Sequence, residues 1–393
     1  DAKNDQLIDD DKGLFHKDSS KANVGFSVKF ESELGNDFGF GARLNVLETL
    51  GLEHNLVSGT MQGINDVNTN ENIKVRTSIT PENEADVSGL DGDEWYWGEA
   101  YLTKKIGKTI LKAGRQELDT PLVFTERWNV MPITYDAIVL LNQDVQNLTL
   151  VGAYVSKANS HKNLGQFSTL AGGAAVDGAY AVAGIYNNGH ATASGWFYNV
   201  PSIINGYWVE AKTNAIANMD ITLQAGGLMF DDDLSDADDT TAFGLKVAYK
   251  VIDGTTISVA GATVGGEKGS HNMANLGTGV KTKLVTATIS GDGDVAGSTD
   301  TTSYKLQLDQ KIGENGNLRL AVAQYDHGED SNSKYADNTA TVFEAVYKQK
   351  IGGVNVLGAY MYDKNVDGWT VKKSDEDDSE DAHTIRVVLR YNF

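Results

Sequence analysis

The sequence predicts an all-β fold: a transmembrane antiparallel up-and-down β-barrel, with eighteen strands expected. Three observations predict it. Apolar and polar residues alternate at a spacing of two over most of the chain. Short turns alternate with mostly long polar connections. The chain also closes on a strand with one greasy and one wet face. In that last stretch Ile385, Val387, Leu389, Tyr391 and Phe393 share one side, and Arg386, Val388, Arg390 and Asn392 share the other. A soluble protein seldom ends on a bare, apolar-faced strand, because an unpaired edge invites aggregation. A closed barrel in lipid has no edge and needs an apolar outer face. The competing reading is the last strand of a soluble β-sandwich.

Composition narrows the classes. The chain has 393 residues with 42 Gly, 4 Pro, 16 Tyr and no Cys. Disulfides, thiol catalysis and cysteine-ligated metals are therefore excluded. No apolar run reaches the 18 or so residues a transmembrane helix needs, which says nothing against strands that are short and half apolar. No signal peptide begins the sequence, so a processed form is expected. A net charge of −21 argues against nucleic-acid partners, which call for basic patches.

The elements follow in order. Residues 1–21 are polar and aperiodic and read as an outer loop. Val24, Phe26, Val28 and Phe30 then alternate with small and charged residues, and a turn at Gly35-Asn36-Asp37 leads to a partner strand through Phe38, Phe40, Ala42, Leu44 and Val46. About Leu50 to Asp93 there is no period, which reads as a large loop. A second hairpin runs from Glu94 to about Leu118, turning at Ile106-Gly107-Lys108. Further pairs are 136–145 with 148–157, 179–186 with 190–200, 206–215 with 219–230, 241–251 with 255–264, 302–312 with 317–325, and 339–351 with 354–362, before the closing strand.

Connections alternate in length. Gln146-Asn147, Asp253-Gly254 and Gly352-Gly353 are tight, whereas 159–178, 231–240, 265–300 and 363–382 are mostly long. Tight turns on one side and long loops on the other are the mark of an outer-membrane barrel. Seventeen strands can be read from Asn23 onward. Bacterial single-chain barrels carry even numbers, so one further strand is expected upstream of Asp1.

The stretch Lys112–Tyr135 carries a family signal in Gly114-Arg115-Gln116, Thr120-Pro121 and Met131-Pro132. It resembles the OprD-type porins, especially the major outer-membrane porins of Campylobacter-like bacteria. The resemblance implies an 18-stranded barrel, often a homotrimer, whose third outer loop folds inward to narrow a pore. It does not explain the acidic outer loops. The residues themselves agree. Pro121 and Pro132 stiffen 119–135 and keep it out of the sheet. Glu117, Asp119, Glu126 and Arg127 bring charge to it. An ordinary proline-bounded surface loop is the alternative.

Alternation also predicts the wall of such a pore. Opposite the apolar faces lie Lys29, Arg43, Lys112, Lys212, Lys246, Lys250, Lys305, Arg319, Lys348, Arg386 and Arg390, outnumbering Glu31, Glu99, Glu210, Asp309 and Glu344. Charges do not face lipid cheaply, so these point to water, and the wall is net positive while the loops are acidic. Arg115 is out of phase with Lys112 and Gly114; it needs a bulge to point inward, or it sits above the lipid belt. Trp95, Trp97, Tyr101, Tyr325, Tyr347, Tyr360 and Tyr391 lie near strand ends and read as an interfacial girdle.

Two acidic runs, which include Asp231, Asp233 and Asp236 and then Asp375 and Asp377, are weak Ca²⁺ candidates without EF-hand spacing; no cofactor is expected. No Gly-x-Ser-x-Gly or His-x-x-x-His pattern occurs, so no enzyme is expected. The function expected is a water-filled channel for passive diffusion of ions and small hydrophilic solutes, with outer-membrane lipid and lipopolysaccharide as surroundings. The alternatives are a secreted all-β surface-layer or ligand-binding protein, and an adhesin.

Overall fold

A computed structural model describes residues 20–48, 50, 94–160, 163–169, 178–231, 238–333, 335–364 and 382–393. These form eighteen strands in one antiparallel meander. They are β1 (Val24–Gly35), β2 (Phe38–Glu48), β3 (Glu94–Ile106), β4 (Thr109–Gln116), β5 (Tyr135–Asn142), β6 (Leu148–Ser160), β7 (Asn163–Thr169), β8 (Ala179–Asn187) and β9 (Ala191–Val200). The series continues with β10 (Ile204–Ile216), β11 (Met219–Phe230), β12 (Thr240–Ile252), β13 (Thr255–Gly265), β14 (Thr301–Ile312), β15 (Gly316–His327), β16 (Asn338–Ile351), β17 (Val354–Lys364) and β18 (Ala382–Tyr391).

Every strand read from the sequence is present, with ends shifted by a few residues. The strand that alternation missed is β7, a short ribbon that pairs with the end of β6 at Lys157↔Thr169 and Ala158↔Ser168. β7 brings the described strands to eighteen, so the even number expected is reached without one upstream of Asp1; residues 1–19 of the expected outer loop and most of the Leu50–Asp93 loop lie outside the described residues.

Two compact units make up the described chain. One holds β1–β5, most of β6, β7 and the start of β8; the other holds the remainder. Short turns close the hairpins with residues that accept left-handed backbone: Asn36 (φ 51°) and Asp37 (φ 60°) between β1 and β2, Gly352 and Gly353 between β16 and β17.

The strand faces are two-sided as the period predicts. Phe26, Phe30, Phe38, Phe40, Trp97, Leu102, Phe243, Val259 and Leu306 are exposed although large and apolar. In β18 the alternation is clean: Ile385, Val387, Leu389 and Tyr391 are exposed on one face, while Arg386 and Val388 are half-buried on the other. So continuous an apolar surface is stable only against hydrocarbon.

Candidate functional site

The polar faces are where water-borne solute would be met. In the first unit the register stacks them in rows. Lys29, Arg43 and Glu99 lie opposite one another across β1, β2 and β3. One row along, Glu31, Gly41, Tyr101 and Gly114 do the same. Gly41 has no side chain, and the Tyr101 ring takes that space: a Cβ at Gly41 would lie 2.7 Å from the ring's Cε2. Laid flat in this way, Tyr101 donates its hydroxyl to Glu31 Oε1 at 2.7 Å. Lys112 Nζ caps the ring, 3.7 Å from its centroid.

A charge network crosses these rows. Lys29 Nζ is 3.1 Å from Glu31 and 3.6 Å from Glu99. Arg43 reaches Glu99 at 3.6 Å and Glu117 at 2.8 Å. Arg127 forks onto both Glu117 oxygens, with Nη1 to Oε1 at 3.1 Å. Glu117 thus ties the β4–β5 connection to the wall. Burial alone would raise its pKa, but the Arg127 hydrogen bonds and the Arg43 charge outweigh this and hold it below the usual carboxylate range.

The connection 117–134 lies back over the polar face. Thr120, ahead of Pro121, closes a turn in which its N–H and hydroxyl both donate to Val123 O, at 3.1 and 2.6 Å. Leu122, Val123, Phe124, Met131 and Ile133 are buried. Met131 and Val130 press on Gly25 of β1, where a Cβ would lie 2.6 Å from Met131 Cε. Glu126 is buried and accepts from Trp128 Nε1 at 3.1 Å, whereas Asp119 is exposed.

Arg115 stands apart from this network. It pairs in register with Ala100, on the side opposite Tyr101 and Lys112. Its guanidinium forks onto Asp136 at 2.8 and 3.2 Å and stacks 3.2 Å from the Phe167 ring of β7.

In the second unit Lys212 pairs with Glu210 at 2.5 Å, and Arg319 meets Asp309 across the strands at 3.0 Å. Lys246, Lys348, Arg386 and Arg390 lie in the polar phase opposite Thr222, Leu357, Ala359 and Asn355. Lys305 and Glu344 are engaged by the β13–β14 connection, residues 266–300. Lys305 Nζ donates to Ala287 O at 2.7 Å, and Glu344 accepts from Ile289 N at 2.8 Å.

That connection, read from the sequence only as a long loop, covers the polar faces of β11 and β14–β17. Val295 and Ala296 are buried with Ala323, Tyr325, Tyr335, Ala340 and Val342. Tyr325 is fully buried and donates to Thr286 O at 3.0 Å, so it does not belong to an interfacial girdle. Neither does Tyr101. The register shift at Gly98, between Trp97 and Glu99, turns Tyr101 to the polar side while Trp95 and Trp97 stay exposed on the apolar one. Lys281 and Asp292 form an ion pair inside the connection, and burial pushes the Asp292 carboxyl up to about 7. Of the Ca²⁺ candidates, Asp231 follows β11 with its N–H on Ile203 O; Asp233, Asp236, Asp375 and Asp377 lie outside the described residues.

A family model described as outer membrane porin, OprD family, matches residues 70–393. The chain belongs to that family. Solved structures agree on the fold. Pseudomonas aeruginosa OccK9 (OpdG) is 14% identical, with 93% of this chain and 89% of that one covered and a TM-score of 0.69. P. aeruginosa OpdK, solved with vanillate, is 12% identical, with 93% and 91% covered and a TM-score of 0.65. Acinetobacter baumannii OccAB3 is 14% identical, with 89% of each chain covered and a TM-score of 0.66. No curated protein matches the chain in sequence. It is an outer-membrane β-barrel channel of the OprD family and not an enzyme. This assignment replaces the secreted, soluble alternative.

Proposed function

We propose that the chain forms a water-filled channel for passive, selective diffusion of small hydrophilic solutes, and that it favours small organic anions. The observation that carries this reading is the network around Glu117. There Arg43 and Arg127 converge on Glu117 of a segment folded over the polar face, with Lys29 and Lys112 beside them at Glu99 and Tyr101, so a solute meets ordered cations at close range. Arg386 and Arg390 continue the basic phase along β18. A relative solved with vanillate, a small aromatic carboxylate, supports this class of solute. On this reading 119–135 is the constriction, and Asp119, exposed, adds a negative group to oppose the basic wall. Glu126 acts from within the segment by fixing Trp128. Arg115 braces β4 and β5 against β7 and does not contact solute.

The same proposal takes the channel to be a homotrimer seated in lipopolysaccharide. The residues at 112–135 support a place near the porins of Campylobacter-like bacteria. Mass photometry in detergent tests the trimer; a single-subunit mass would remove it.

Selectivity is tested by the reversal potential of single channels under a salt gradient, and by liposome swelling in benzoate or vanillate against a neutral sugar of similar size. The reading expects an anion-favouring potential and faster swelling in the carboxylates. Arg386→Ala and Arg390→Ala should each move the potential toward cations. No movement in either variant would show that the β18 arginines do not face the permeating ions.

A further inference from the structure

Within the β13–β14 connection, the stretch 283–285 meets the wall at Gln224 of β11. The Gln224 side chain is buried, and its amide makes a two-way bond. Nε2 donates to Lys283 O at 2.9 Å, and Oε1 accepts from Val285 N at 3.0 Å. One side chain thus supplies both a donor and an acceptor to the backbone on either side of residue 284. Glu210 Oε2 accepts from the same Nε2 at 2.8 Å, which fixes which end of the amide donates. Gly244, opposite Gln224 in β12, leaves room for the chain to come down: a Cβ there would lie 3.1 Å from Val285 Cγ2.

The rest of the connection is secured elsewhere. Lys305 holds Ala287, and Glu344 holds Ile289. Asp363 accepts from Ser290 Oγ at 2.5 Å. The cluster around Tyr325 buries its far end.

We infer that Gln224 is the positioning residue that sets the bore on this side of the channel: by pinning 283–285 to the polar face, it fixes how much cross-section is left to solute. The inference rests on the channel reading above. Gln224 carries no charge, so its role is steric. Removing the amide frees 283–285, while the anchors at 287–290 and the Tyr325 cluster keep the connection folded. Glutamate at this position keeps the acceptor for Val285 but loses the donor to Lys283 and faces Glu210 with a like charge.

Single-channel conductance and the size cut-off in liposome swelling test it, comparing the unaltered chain with Gln224→Ala. The variant should raise the conductance by about half and admit larger neutral sugars, with the reversal potential unchanged. A second variant, Gln224→Met, keeps most of the side chain's bulk and loses both bonds to 283–285, so it should raise the conductance as Gln224→Ala does. Conductance and cut-off unchanged in Gln224→Ala, or raised in Gln224→Ala but not in Gln224→Met, would overturn the inference while leaving the channel reading intact. Absence of channels from the unaltered chain would overturn that reading, and this inference with it.

Discussion

Residues 117–134 and residues 266–300 both lie back over polar strand faces, each within its own unit, but different forces hold them. The first is tied chiefly by charge: Glu117 lies between Arg43 and Arg127, with Arg127 more than half exposed. The second is tied by side-chain bonds to its backbone, neutral ones from Gln224 and Tyr325 and partly buried charged ones from Lys305 and Glu344, and by a dry cluster around Tyr325. Exposed ion pairs are screened by salt and contribute little each; buried aromatic packing is indifferent to salt and contributes more. On the channel reading proposed above, the charged clamp lies where solute passes and the other segment is a fixed wall.

The largest expected effect falls on the packed segment. Tyr325→Ala removes a fully buried ring and its hydroxyl, and should destabilise 266–300 by about 3–5 kcal/mol. Limited trypsin digestion in detergent should then cut at Lys281 or Lys283, sites the native fold protects. Heat-modifiable migration should persist. If these sites stay uncut, the dry cluster is not what holds the segment.

Glu117→Gln comes next. It leaves Arg43 and Arg127 without their shared carboxylate, which loosens 117–134 by about 1–3 kcal/mol. It also removes a negative charge from the network, so the reversal potential should move toward anions. An unmoved potential would place Glu117 off the conduction path.

The two segments should also answer pH in opposite senses. Glu117 has a lowered pKa, so its stabilising contribution is present above the ordinary carboxylate range and is lost as pH falls through its folded value. Asp292 has a raised one, so its contribution is full at acid pH and is lost as pH rises through about 7. Protease sensitivity near 117–134 should increase in acid, and that of 281–292 should increase as pH rises from the carboxylate range to about 7. Parallel responses would contradict the division. The smallest effect is that of salt. Raising it to about 1 M should weaken the Arg127 pair by less than about 1 kcal/mol and leave 266–300 unmoved, as hydrogen exchange would show.

Much of this was legible in the sequence, for local reasons. A period of two and turn residues such as Asn36-Asp37 locate a strand within a few positions, so seventeen of the strands could be placed. β7 escaped because seven residues with few registered partners leave no sustained alternation. Tyr101 was misassigned because one extra residue at Gly98 inverts the phase of everything after it. Gly98 between Trp97 and Glu99 is itself the kind of signal that marks a bulge. The fold-back of 266–300 could not be read at all. Its anchors, Gln224 and Glu344, lie dozens of residues away on either side, and nothing local in Lys283 or Ile289 points to them. Alternation puts Lys305 and Glu344 in the polar phase, yet it does not say that a segment bonds to them there.

Hydrocarbon covers one face of these strands and water meets the other. Adding purified chain to a planar lipid bilayer decides this. Discrete, ohmic current steps should appear, with a reversal potential under a salt gradient that favours anions. Correctly folded, heat-modifiable protein that gives no steps would show that no water-filled path is enclosed.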